Sequence, residues 1–158
     1  MRIRALIEEN FQDYKKCSML IGTAFCDWKC CKECGEDLCQ NMPLVLSPIV
    51  DMPNEEIAAK YLKNGLSSAI IFGGLDPMDH FDELIACIAT LRRHTDDDIV
   101  IYTGYNQEEI IGRVRHLAKT FTNIIIKYGR FVPHDTPRYD EVLGITLASQ
   151  NQYAEKIS

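Results

Sequence analysis

The sequence predicts an α/β fold built on a mostly parallel sheet. Short apolar runs of strand length alternate three times with amphipathic stretches of helix length. Each strand-like run then stops at a turn, most of them marked by glycine. A strand followed by a helix of ten to fifteen residues is the pattern of βαβ units, which build parallel sheets. At 158 residues the chain is one domain, residues 1–158.

The elements follow in order. Residues 18–24 (SMLIGTA) form an apolar strand running straight into a cysteine-rich segment. Residues 51–63 (DMPNEEIAAKYLK) read as a helix. Asn54 is placed to cap it, Glu55 and Glu56 suit its first turn, and Ile57, Ala58, Tyr61 and Leu62 recur at helical spacing before Asn64-Gly65 ends it. Residues 68–72 (SAIIF) are a buried strand stopping at Gly73-Gly74, and residues 81–91 a helix with Leu84, Ile85, Ile88 and Leu91 on one face. Residues 98–102 (DIVIY) are the next strand, ending at Thr103-Gly104. Residues 107–120 then form a helix striped by Ile110, Ile111, Val114 and Leu117. Residues 123–126 (NIII) lead into Lys127-Tyr128-Gly129, and a last strand is expected over residues 143–147. In parallel sheets ligands collect at the carboxyl ends of the strands. The cysteine segment, Gly73-Gly74, Thr103-Gly104 and Tyr128-Gly129 therefore belong to one site.

Bulk properties narrow the classes. A composition of 46% hydrophobic and 25% charged residues is that of a globular domain. A formal net charge of −6 disfavours a nucleic-acid partner, because phosphate binding needs a basic surface. The apolar runs are too short for a bilayer, and the first residues carry no signal-type apolar run, so no membrane association and a cytoplasmic location are expected.

Seven cysteines then need a reason, and five of them (Cys26, Cys30, Cys31, Cys34 and Cys39) lie within fourteen residues. An odd count in a reducing compartment argues for metal rather than disulfides. Thiolates suit zinc or an iron–sulfur cluster. Cys31-x2-Cys34 is one half of a zinc knuckle, but a second pair is missing. Cys26-x3-Cys30 is instead the opening spacing of a site-differentiated [4Fe–4S] cluster, in which three cysteines leave one iron open. A non-enzymatic iron–sulfur electron carrier and a zinc-stabilised binding module stand as the alternatives to a cluster enzyme. Cys17 and Cys87 read as small buried hydrophobes, the four histidines as surface residues, and the run Asp96-Asp97-Asp98 as a solvated turn.

The segment CDWKCCKEC with the following CQN resembles a modified Cys-x3-Cys-x2-Cys loop of radical S-adenosylmethionine enzymes. More specifically, residues 18–152 resemble the activating proteins of anaerobic ribonucleotide reductase. AIIFGGLDP (69–77) is similar to that family's SGG(D/E)P strand end, and IVIYTGY (99–105) to its WTGY-like segment. IIKYGRFV (125–132) is similar to its VDGxF segment, and LASQNQ (147–152) to its GSxNQ ending. The resemblance implies a partial, open (β/α) barrel holding a [4Fe–4S] cluster. S-adenosylmethionine would chelate the open iron, with Gly73 and Gly74 against its methionine part, Thr103 and Gly104 at its ribose or adenine, and Asp76 orienting a backbone group or the cofactor amine. Reductive cleavage to a 5′-deoxyadenosyl radical is the implied activity. A glycyl-radical enzyme is the implied partner, with flavodoxin or ferredoxin as electron donor.

The chain departs from the family pattern in two places. Its third cysteine is displaced, leaving three ligand sets: Cys26, Cys31 and Cys34; Cys26, Cys30 and Cys34; or Cys26, Cys30 and Cys39. The last is favoured, because Cys39-Gln40-Asn41 resembles the family's Cys-Phe-Asn; residues 31–38 then become an insertion. The family's Gly-Pro-Gly-x-Arg-like stretch before the first strand reads FQDYKKCSM here.

Overall fold

The computed structural model describes residues 1–36 and 39–158. Asp37 and Leu38, within the expected insertion, lie outside the described residues. The core is a seven-stranded mixed sheet. Its strands are β1 (Arg2–Asn10), β2 (Ser18–Thr23), β3 (Val50–Asp51), β4 (Ala69–Gly74), β5 (Asp98–Tyr102), β6 (Ile124–Tyr128) and, after a small hairpin, β9 (Tyr153–Lys156). The hairpin strands are β7 (Arg138–Asp140) and β8 (Ile145–Leu147). The sheet runs β3-β1-β2-β4-β5-β6-β9, with β2, β4, β5 and β6 parallel and β1, β3 and β9 added antiparallel.

The parallel strands confirm the sequence reading closely, because strands buried on both faces are continuous apolar runs. Their residues alternate between two cores. Met19, Ile21, Ile70, Phe72, Ile99, Ile101, Ile124 and Ile126 face the helices. Those helices are α3 (Asn54–Lys63), α4 (Phe81–Arg92) and α5 (Ile111–Thr120). They meet the sheet through Ile57, Ala58, Tyr61, Leu84, Ile88, Leu91, Val114 and Leu117. Ala69, Ile71, Val100 and Ile125 face the other way and pack with Tyr14, Leu143 and Leu147. All three crossover helices thus cover one face, and the opposite face is left to the hairpin and the cysteine segment. No helix among the described residues is long and apolar enough to cross a membrane.

Several expectations change in detail. The helix of residues 51–63 begins only at Asn54, with Pro53 at its N-cap, and Asn54 Oδ1 is buried without a hydrogen-bond partner rather than capping. The helix of residues 107–120 opens with a 3₁₀ turn, Gln107–Ile110, capped by Asn106 and Glu109. Leu62 and Ile111 fall on the exposed side of their helices. Cys87 is buried, whereas Cys17 is only partly so. Asp97 and Asp98 are not simply solvated: Tyr61 donates to the first, and Tyr14 and Lys16 donate to the second.

Gly129 marks the turn after β6. Its φ is +94°, and a Cβ there would lie 2.7 Å from the Asn151 carbonyl oxygen. Backbone of that kind cannot swing aside like a side chain. Gly129→Ala should lower stability by about 2–3 kcal/mol. An unchanged denaturant midpoint would show that the turn of Asn151 and Gln152 yields instead.

Candidate metal and cofactor site

A cavity of about 580 Å³ lies on the sheet face away from the helices, with Leu20, Ile71 and Tyr102 among its walls. Gly73, Gly74, Asp76, Thr103 and Gly104 all line it, as does Gly129. The strand ends expected to share one site do share it.

Four thiols line the same cavity: Cys26, Cys30, Cys31 and Cys39. The segment enters it through an irregular path rather than a plain loop. Trp28 adopts left-handed backbone (φ 63°) and starts a short helix, α1 (Lys29–Cys34). A second, α2 (Met42–Val45), follows Cys39. Cys34 ends α1 off the cavity lining, its Sγ near the carbonyl oxygens of Cys31 and Glu36. Two of the lining residues accept a backbone N–H at sulfur: Trp28 donates to Cys26 (3.3 Å) and Asn41 to Cys39 (3.4 Å). Burial pushes the Cys26 thiol up to about 12, partly offset by the Trp28 N–H. Burial raises Cys30 as well, against the Phe131 N–H and Lys127. These thiols stay protonated until a metal displaces the proton.

Asp76 ties two strand ends together. Its Oδ1 accepts from the Met78 N–H (3.0 Å) and the Thr103 hydroxyl (2.9 Å), and its Oδ2 from the Gly104 N–H (2.9 Å). Thr103 in turn accepts the Tyr105 N–H. Asp76 keeps part of its surface on the cavity, yet desolvation outweighs these donors and raises its carboxyl to about 6. A Cβ at Gly104 would stand 3.2 Å from Cys30 Sγ, so a side chain there would require the sulfur to shift by a few tenths of an ångström.

Gly74 behaves differently from the expectation. Its φ is +81°, and a Cβ would fall 2.2 Å from Leu44 Cδ2. The neighbouring Gly22, paired with Gly73 in the parallel register, would meet Leu44 Cδ1 at 3.2 Å. The two glycines make a notch, and Leu44 of α2 sits in it. Asn41 also donates its side-chain amide to the Gly74 carbonyl. Arg4 holds this strap, donating to the carbonyls of Val45 and Ser47 on one side and Ala24 on the other.

Lys127 is the site residue that the sequence reading passed over. It is 7% exposed, lines the cavity, and donates to the Gly129 carbonyl at 3.0 Å. Desolvation pulls its ammonium down to about 8, with Cys30 and Asp76 acting the other way. The signal was present, for a lysine two residues after Ile125 shares that residue's inward face. Native structure favours the neutral amine, so below about pH 8 the charge costs folding up to about 3 kcal/mol. Lys127→Met should therefore stabilise the ligand-free protein at pH 7, read as a raised denaturant midpoint; a lowered one contradicts this. Arg130, also 7% exposed, is already paired with Glu109 through two 2.7 Å bonds and with Glu33 at 2.8 Å.

No family model, curated protein or solved structure matches the chain.

Potential metal donors are distributed through this region. Thiolates on one zinc ion converge to within about 4 Å of one another. Among the described residues, the group of three ligand-type atoms lying within 4.8 Å is Cys26, Asp27 and Asp79, and no three thiols come so close. Asp79 is committed elsewhere, accepting from Tyr105 (2.6 Å) and from the Asp27 N–H (2.8 Å).

Proposed function

We propose that this chain is a radical S-adenosylmethionine protein that holds a [4Fe–4S] cluster through Cys26, Cys30 and Cys39. The observation that carries this reading is that Cys26, Cys30 and Cys39 line one cavity beside two strand ends bearing glycine, with a backbone N–H on the sulfurs of Cys26 and Cys39. Hydrogen bonds to cluster sulfurs stabilise the charge of the bound state and orient the ligands. Cys34 is left outside the ligand set. When bound, the cluster would supply the electron for cleaving the sulfonium of S-adenosylmethionine. The chain's own residues bind and orient. Asp76 and the Gly73 backbone would meet the cofactor's amine, and Thr103 and Gly104 its ribose or adenine. Lys127 would meet its carboxylate.

The partial, open (β/α) barrel is part of this proposal, and what the structure shows is an α/β fold with a mostly parallel, mixed seven-stranded sheet. Its crossover helices share one face, and its cavity occupies the other at the carboxyl ends of the parallel strands. An open side of that kind suits a protein substrate such as a glycyl-radical enzyme, with flavodoxin or ferredoxin supplying electrons.

The test is anaerobic reconstitution with iron and sulfide, followed by reduction and addition of S-adenosylmethionine. A changed electron paramagnetic resonance signal and the appearance of 5′-deoxyadenosine with methionine are expected. A cluster indifferent to S-adenosylmethionine would leave an electron carrier, and stoichiometric zinc with no cluster would leave a binding module.

A further inference from the structure

Asp79 stands behind the cysteine segment rather than in the cavity. It faces a second, polar hollow of about 450 Å³, and the cavity lining does not include it. One of its carboxylate oxygens nevertheless lies within 4.8 Å of Cys26 Sγ. Two hydrogen bonds hold it there. Oδ2 accepts the Asp27 N–H at 2.8 Å, so the carboxylate grips the residue next to Cys26. Oδ1 accepts the Tyr105 hydroxyl at 2.6 Å, and the Lys29 ammonium lies 3.6 Å over that ring. Both donors are neutral, and among the described residues Asp79 forms no ion pair. Arg2 and Arg113 share the hollow, but Arg2 is taken by Glu83 and Arg113 donates to the Met78 carbonyl. Asp27 differs, because Lys29 Nζ stands 3.5 Å from its Oδ2. Of the two carboxylates beside the Cys26 sulfur, Asp79 therefore brings the charge that no cation answers.

Reduction adds negative charge to an iron–sulfur cluster, and a fixed negative charge close by opposes it. Building on the cluster reading, we propose that Asp79 sets the reduction potential of the cluster, its carboxylate acting from behind Cys26 to make the reduced state a stronger electron donor. The direction suits the proposed chemistry, since one-electron cleavage of a sulfonium demands a strongly reducing donor. The placement suits it too. A carboxylate outside the cavity exerts its field on the ligand sulfur without occupying space that a cofactor needs.

The test is the midpoint potential of the reconstituted full chain, from an anaerobic redox titration followed by electron paramagnetic resonance. Parent, Asp79→Asn, Asp79→Glu and Asp82→Asn are compared. Asp79→Asn removes the charge at nearly constant size, and its cluster should become about ten-fold easier to reduce, an upward shift of about 59 mV for one electron. Asp79→Glu keeps the charge and should stay close to the parent. Asp82→Asn removes the same formal charge at an exposed position three residues on, where water and salt screen it, and should also stay close. Equal potentials in parent and Asp79→Asn overturn the proposal, as does an equal upward shift in Asp82→Asn. Loss of the cluster in either Asp79 variant overturns it as well, since the carboxylate would then hold the loop together rather than set the potential. A parent that binds no cluster at all defeats the cluster reading itself, a separate outcome.

Discussion

Cys26→Ala and Cys30→Ala, reconstituted anaerobically with iron and sulfide, are expected to lose on the order of 100-fold or more in cluster affinity. Retained iron should fall to a small fraction of the parent's. Both residues line the cavity, so each loss would remove a proposed ligand, and at Cys26 also the sulfur that accepts the Trp28 N–H. Cys34→Ala is the internal control. Its sulfur lies off the lining near two carbonyl oxygens, so iron content should match the parent. Iron measured by chelation and by optical absorbance reports both arms. Iron lost from Cys34→Ala but kept in Cys30→Ala would reverse the ligand assignment.

The second large effect concerns Asp76. Its carboxyl titrates near 6 in the folded protein against 3.8 unfolded, chiefly through desolvation. The native state therefore holds the proton longer. Stability is fully present below about pH 3.8 and is lost as pH rises through 6. The loss is at most about 3 kcal/mol for the ligand-free chain. Asp76→Asn has no charge to desolvate, so its denaturation midpoint should lack that decline between pH 4 and 6. Parallel pH profiles for parent and variant would refute the assignment. Asp76→Ala should be worse than Asn at low pH, because the Thr103 hydroxyl and the N–H groups of Met78 and Gly104 all lose their acceptor.

Legibility in the sequence followed burial. Residues 69–72, 98–102 and 124–126 lie in strands covered on both faces, and continuous apolar runs announce such strands. The flanking antiparallel strands were not legible. RIRALIEEN mixes charge and apolar residues because β1 is partly open to water, and YAEK at the sheet edge is half polar. The shared edge of Gly73, Asp76, Thr103 and Gly104 followed from topology alone. Which thiols face that edge did not, because it depends on the helical phase of α1 and on a left-handed turn at Trp28, and neither has a spacing signature. Lys127 is readable from its parity with Ile125 on the inward face of β6. Leu44 was beyond reach: only the folded strap shows that an ordinary leucine is what the glycines accommodate.

That leucine changes what an affinity measured on this site means. The notch over Gly22 and Gly74 is already filled by the chain's own side chain, and the Gly74 carbonyl already has a donor in Asn41. A ligand arriving there substitutes for a resident, so its measured free energy is a difference between two occupants. A modest dissociation constant would be compatible with close contact. The same arrangement places the chain's own leucine over backbone that the two glycines would otherwise leave uncovered beside the cavity.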